Sequence, residues 1–258
     1  MIIDFHAHAF PEKIVSGAVG HLENHYGIEI EASGLQEDLL QAMQQAKVKY
    51  AVFFNVATKP SQVKQANDWI LQHTTEELIP FGTLHPDDPA WRERLSEIKD
   101  KVYGIKLHPD FQAFYPDKEK YWPFYKAIFK ENLPILFHAG DETLPFSEPK
   151  RLAKVVDAFS GNKIILAHLG GYAAWEQVEE YLVGKDVYFD TSSCSWRLAP
   201  EDAWRLMRRH GTEKILFGTD YPVSSYAREL AWLTEGATDA ELEQSLYQNA
   251  IKLLKLTP

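Results

Sequence analysis

Two hydrophobic periods alternate along the chain. Short runs rich in β-branched and aromatic residues recur at 2–8, 50–58, 78–86, 102–109, 134–140, 163–171, 187–193 and 214–222, and read as eight strands. Between them, apolar residues fall at helical spacing over 36–47, 61–74, 119–131, 149–160, 172–183, 200–210 and 226–235, and again over 239–255. A further helix is expected over 89–99, where "DDPAWRE" puts acid and proline where a helix N-terminus favours them. Eight strand–helix units predict an α/β fold of the (β/α)8 (TIM) barrel type, one domain over residues 1–258. An open doubly wound sheet is the rival, but no G-x-G-x-x-G follows any run. The roughly 25 residues between "HAHAF" and the helix at 36 are expected to fold over the barrel mouth as a lid.

Strand parity assigns faces. In the first run Ile3, Phe5 and Ala7 share one face, suited to packing under helices, while Asp4, His6 and His8 share the other. The fourth run repeats this, with Ile105 and Leu107 opposite Lys106 and His108. The polar set therefore points toward the barrel axis.

Its members also end their strands: His6 and His8 the first, His138 the fifth, His168 the sixth and Asp220 the eighth. The C-terminal strand ends of such a barrel converge on one mouth. Imidazole and carboxylate are donors for zinc and similar divalent ions, and catalytic sites keep a position open for water. One strand histidine alone reads as a hydrogen-bonded core residue. Five donors at strand ends read as a metal centre, with zinc expected and manganese or iron accepted by the same donors.

The remaining histidines read differently. His21 and His25 have i, i+4 spacing but lack the glutamate after the first histidine that a metalloprotease needs, so a solvated helix or cap segment is expected. His73 and His210 read as surface residues. His85 and His108, each followed by proline, either line the pocket or cap strand ends. Asp190 either orients a histidine or caps a loop. Trp175, Trp196 and Arg197 are candidates for an aromatic pocket with a cationic anchor for a carboxylate.

Composition narrows the partners. The net charge is −10 and no window gathers Lys and Arg into a stripe, which disfavours nucleic acid and anionic membrane surfaces. Cys194 is the single cysteine, so no internal disulfide can form. With no leader-like or membrane-spanning run, a cytoplasmic protein is expected, and a homo-oligomer is compatible.

From "IIDFHAHAFPEKI" through "GIKLHPDFQAF", "PILFHAG", "IILAHLGG" and "VYFDTSS" to "ILFGTDYP", the chain resembles the amidohydrolase superfamily, in its amidohydrolase 2 branch of barrel-shaped metal-dependent hydrolases and decarboxylases. The resemblance implies that His6, His8 and His138 are metal ligands and that Asp220 contacts the metal and its bound water. It implies that His168 acts beside the metal as acid/base or polariser. Lys106 departs from the glutamate that related DNases carry at the fourth strand. It is either an ammonium that binds an anionic substrate or, as in many two-metal members, a carboxylated lysine bridging a second metal. The "GIKLHP" context resembles the single-metal branch.

The activity expected first is hydrolysis of an ester, lactone or amide of a small carboxylated molecule by metal-activated water, with Asp220 taking the proton. The alternatives are non-oxidative decarboxylation of an aromatic or enol acid and, outside catalysis, a metal-bearing binding protein. Lys106, His108 and Arg197 are the expected substrate contacts. Nuclease action is disfavoured by the acidic surface.

Overall fold

The structure, a computed structural model, describes residues 1–30 and 32–256. Eight parallel strands follow one another around a barrel in chain order: β1 Ile3–His8, β2 Tyr50–Phe54, β3 Leu78–Thr83, β4 Gly104–Leu107, β5 Ile135–Phe137, β6 Ile164–Leu166, β7 Tyr188–Asp190 and β8 Ile215–Leu216. β8 is short, yet the chain beyond it still closes against β1. Phe5 N–H donates to Phe217 O (2.7 Å), Asp220 N–H to His6 O (2.7 Å) and His8 N–H to Tyr221 O (2.7 Å). Gly218 permits this approach, because a Cβ there would lie 3.0 Å from the Cβ of His6.

The helices are α1 Glu12–Tyr26, α2 Gln36–Ala46, α3 Val63–Gln72, α4 Trp91–Ile98, α5 Trp122–Lys130, α6 Pro149–Ala158, α7 Trp175–Tyr181, α8 Pro200–His210 and α9 Tyr226–Thr234. Two more, α10 Asp239–Glu243 and α11 Asn249–Leu254, divide the helix expected over 239–255, with a π-helical turn at Gln244–Gln248 between them. α8 carries Pro200 and two acids in its first turn and Arg208, Arg209 and His210 in its last, matching its dipole. Among the described residues no helix is long and apolar enough to cross a membrane.

Two apolar layers hold the barrel. Ala51, Phe53, Ile105, Leu107, Ile135 and Phe137 face the helices, packed with residues such as Leu39, Leu152 and Trp204. Ile3, Phe5, Val52, Phe54, Phe81, Leu136 and Ile165 fill the interior, closed from below by Ala250, Leu253 and Leu254 of α11. Each such aromatic, fully withdrawn from water, contributes roughly 1.5–3 kcal/mol.

This layering corrects the parity expected for β1. Ile3 and Phe5 belong to the interior, not to the helix-facing layer; only Ala7 packs outward. The pairing of β1 with β2 slips between Asp4 and Ala7. The slip re-aims the strand, so that Phe5 meets Phe81 (5.7 Å between centroids) in the floor while His6 and His8 both rest on Phe54.

The stretch between β1 and α2, expected to cover the barrel mouth, carries α1, whose residues line the cavity there. One further expectation changes. His210 is buried rather than superficial: it stacks on Phe189 at 3.9 Å and bonds Val187 O through Nε2 (2.8 Å). Burial pushes its imidazole down to about 4, so it is neutral at pH 7.

Candidate metal centre and substrate cavity

β1 and the turn after β8 bring two imidazoles and a carboxylate together. Nε2 of His6 and Nε2 of His8 lie 3.3 and 3.2 Å from Oδ1 of Asp220. Asp220 holds a left-handed backbone (φ 67°). Its second oxygen accepts the Ser193 hydroxyl at 2.8 Å. Burial alone would raise the Asp220 carboxyl, but the His6 and His8 imidazoles hold it well below the ordinary range.

Hydrogen bonds fix which ring nitrogen is free. Nδ1 of His6 donates to Asp190 Oδ2 at 2.9 Å, so Nε2 is the nitrogen turned to the cavity. Asp190 is therefore an orienting carboxylate, one of its two expected roles. Burial would raise it, yet His6 and its neighbours bring it down to about 2. Ser192 Oγ lies 3.0 Å from Nδ1 of both His6 and His168 and donates to Asp190. Asp4 braces the same corner, accepting from His6 N–H (2.9 Å), Thr219 N–H (3.0 Å) and the Thr219 hydroxyl (2.6 Å).

His138 and His168 form a relay. Nδ1 of His168 donates to Ser192 O at 2.8 Å, because a carbonyl can only accept. Its Nε2 then accepts from Nδ1 of His138 at 3.1 Å. That leaves Nε2 of His138 as an acceptor, buried and without any partner. Burial lowers His8, drives His138 well below the ordinary imidazole value and brings His168 to about 4, so their neutral, donor-competent forms prevail at pH 7. Burial and the Lys106 ammonium oppose a proton on His6, but Asp190 and Asp220 outweigh them and raise it.

His168 sits at a left-handed turn beyond β6 (φ 58°), and in this arrangement both its nitrogens are engaged by the protein.

A second group, His108, Asp110 and His138, also brings three donors within 4.8 Å of one another. It does not suit an ion. His108 and His138 stack face to face at 3.8 Å and 9°, and parallel rings that far apart cannot both hold one ion in plane. Asp110 is already spent on Phe146 N–H, Ser147 N–H and the Ser147 hydroxyl. His6, His8 and Asp220 form the other group, and His138 offers its unpartnered nitrogen in the same cavity wall.

That cavity encloses about 700 Å³. Lys106 lies at its base, fully buried, with Nζ 3.3 Å from His6 Nε2 and 4.7 Å from the Phe54 ring. Burial brings its ammonium down to about 8. His108 lines the wall, sandwiched between His138 and Phe111.

Arg197 does not line the cavity; it is exposed at the rim and pairs with Glu142 at 2.9 Å. Trp175 ties its indole N–H to His168 O (3.0 Å), and Trp196 packs under Arg228 (4.0 Å), so neither forms the aromatic wall. His85 caps its strand end, accepting Asp87 N–H at 3.2 Å. The wall is Phe10, Tyr26, Trp69 and Phe111 instead, together with Asn55, whose buried carbonyl oxygen has no partner. Sequence reasoning missed these residues. Asn55, a polar residue after the apolar "YAVFF", carried the one signal that could have found it.

The comparisons agree with this architecture. A crystal structure of 2,6-dihydroxybenzoate decarboxylase complexed with 2,6-dihydroxybenzoate superposes with a TM-score of 0.79 at 17% identity, covering 99% of each chain. A dihydroxybenzoic acid decarboxylase from Polaromonas sp. JS666, with bound manganese and 2-nitroresorcinol, gives 0.78 at 18% identity, covering 99% of this chain and 97% of that one. At such identities these neighbours speak for the fold. In sequence, decarboxylase orsB of Emericella nidulans is 31% identical over 126 residues, which span 40% of this chain and only 38% of that protein. A family model described as Amidohydrolase matches residues 3–256. The chain belongs to the amidohydrolase family.

Proposed function

We propose that the protein is a metal-dependent, non-oxidative decarboxylase of an aromatic hydroxy acid. The observation that carries this reading is the convergence of unpartnered acceptors, Nε2 of His138 foremost, at the base of an aromatic-walled cavity. Nε2 of His6 and Oδ1 of Asp220 also face one another with only a proton or a cation able to reconcile them. The donor set fits a divalent ion, held by His6, His8, His138 and Asp220. When bound, that ion would withdraw charge from the acid's carboxylate or phenolate. The relatives favour decarboxylation over the hydrolysis expected first: a curated decarboxylase aligns in sequence, and neighbours in fold act on dihydroxybenzoates. Manganese, present in one of those neighbours, is as suitable as zinc for this mixed nitrogen and oxygen set.

The side chains divide the work. The Lys106 ammonium supplies a cation for an anionic substrate at the cavity base, and the unpartnered carbonyl oxygen of Asn55 accepts a hydrogen bond from a ring hydroxyl. The phenyl of Phe111 gives the ring an aromatic neighbour. In the reaction the carboxylate-bearing ring carbon takes up a proton. Its bond to the carboxylate then breaks, the electron pair returns to the ring, and CO2 leaves. Asp220 is the one acid lining the cavity among the described residues and is the group to carry that proton from water. His168 positions His138 rather than touching the substrate.

The test is incubation of manganese- and zinc-loaded protein with 2,6-dihydroxybenzoate and with a panel of esters and lactones. Stoichiometric CO2 and 1,3-dihydroxybenzene are expected. Hydrolysis of the panel without CO2 release would overturn decarboxylation in favour of metal-assisted hydrolysis.

A further inference from the structure

The cavity is larger than a single aromatic ring needs, and its lining away from the candidate metal donors includes one continuous apolar stripe. At interior packing density, roughly 20 Å³ per heavy atom, a one-ring hydroxy acid of about a dozen heavy atoms takes up ~240 Å³. That is about a third of the 700 Å³ enclosed. The donors proposed for metal and carboxylate are buried or nearly so, whereas the α1 residues that line the same cavity are not.

α1 presents an apolar stripe to that volume. Ile14, Ala18, Leu22 and Tyr26 recur every fourth residue along one face, and all four line the cavity. No residue of α1 is fully buried, and Ile14 is 53% exposed, so this face is not absorbed by the core. The helix is nonetheless anchored. Its last turn is pinned by His25 Nε2 to Asp141 at 2.7 Å and by the His25 ring against Phe111 at 5.1 Å. Trp69 closes the opposite wall. A pinned helix that turns an apolar stripe toward empty space continuous with a polar base calls for one amphipathic occupant, with its acid head down and an apolar arm outward.

We infer that the natural substrate is an aromatic hydroxy acid bearing an apolar arm, alkyl or aryl, opposite its carboxylate, and that α1 is the surface that reads the arm. The inference deepens the decarboxylase reading and rests on it for the identity of the head group. The arm itself is recognised by burial alone, so binding tests it apart from turnover.

The probes are 2,6-dihydroxybenzoates carrying hydrogen, methyl, propyl or pentyl at ring position 4. Dissociation constants are measured by calorimetry on manganese-loaded protein, and kcat/KM is measured in parallel. Affinity is expected to rise with chain length by up to about fourfold per buried methylene. Ala18→Trp, which fills the space beneath the stripe, is expected to weaken the pentyl acid at least tenfold more than the unsubstituted one. Leu22→Ala, which removes contact without filling space, is expected to flatten the chain-length slope. If the acids bind with this slope but none releases CO2, the arm stands and the decarboxylase reading falls. Equal affinity along the series, or equal weakening of every acid by Ala18→Trp, would overturn the arm. So would failure of every acid to bind.

Discussion

Nε2 of His6 faces Oδ1 of Asp220 across 3.3 Å, while Nδ1 of the same ring is committed to Asp190 at 2.9 Å. An imidazole held in this way turns its remaining lone pair toward a carboxylate, an arrangement that asks for positive charge between them. The rest of the site is arranged around that demand. His8 turns its own Nε2 to the same oxygen at 3.2 Å, and the relay from Ser192 through His168 leaves His138 with a bare acceptor.

Removing a donor should release the ion. His6→Ala and Asp220→Asn are expected to lower manganese and zinc affinity by at least ~100-fold, read by competition with a chelating dye. Unchanged affinity in both variants would remove these residues from the metal centre.

His168 should act through His138. His168→Ala is expected to weaken metal binding by about 10- to 100-fold, because Nδ1 of His138 loses the acceptor that fixes its tautomer. A variant that binds metal as wild type yet loses turnover would instead make His168 a direct participant in the chemistry.

Lys106 should serve the substrate and not a second ion. Lys106→Met is expected to raise KM for carboxylated substrates by at least ~10-fold, with metal content still one ion per chain and insensitive to bicarbonate. Two ions per chain in wild type, falling to one in Lys106→Met, would indicate a carboxylated lysine.

Glu229 makes stability depend on pH. It is fully buried in α9, where its Oε1 accepts the hydroxyls of Ser195 (2.5 Å) and Ser224 (2.6 Å) while Oε2 has no partner. Burial outweighs those bonds and pushes the carboxyl up to about 7 from 4.5. The folded state therefore holds this proton more tightly than the unfolded chain, and its stabilising effect is complete below pH 4.5 and lost as pH rises through 7. Glu229→Gln should cancel the loss. Between pH 4.5 and 8, wild type is expected to lose ~2–3 kcal/mol relative to the variant in urea unfolding with chelator present. Parallel pH profiles for the two proteins would refute the assignment.

Much of the site was legible because strand ends in a barrel share one mouth, whatever their separation along the chain. That rule brought His6, His8, His138 and Asp220 to one cavity wall from sequence alone; strand parity turned Lys106 inward, and His108, left open between pocket and strand cap, lines the same wall. What failed depended on distant backbone. The slip in β1 that turns Phe5 inward has no glycine or proline to mark it. The engagement of both His168 nitrogens needs the Ser192 carbonyl from another strand, and the burial of His210 needs Val187 O. α1 was legible only as a covering segment without helix bounds, because Gly17 and Gly20 dilute its pattern and its apolar stripe faces a cavity, not a core. Arg197 had the right chemistry for a carboxylate anchor, but Glu142 claims it outside the cavity.

The central claim is met most directly by anomalous diffraction at the manganese edge from crystals grown with manganese. The expected result is a single peak per chain bonded by His6, His8, His138 and Asp220. A peak between His108 and His138, or none at Asp220 in crystals whose solution metal content is one ion per chain, would contradict it.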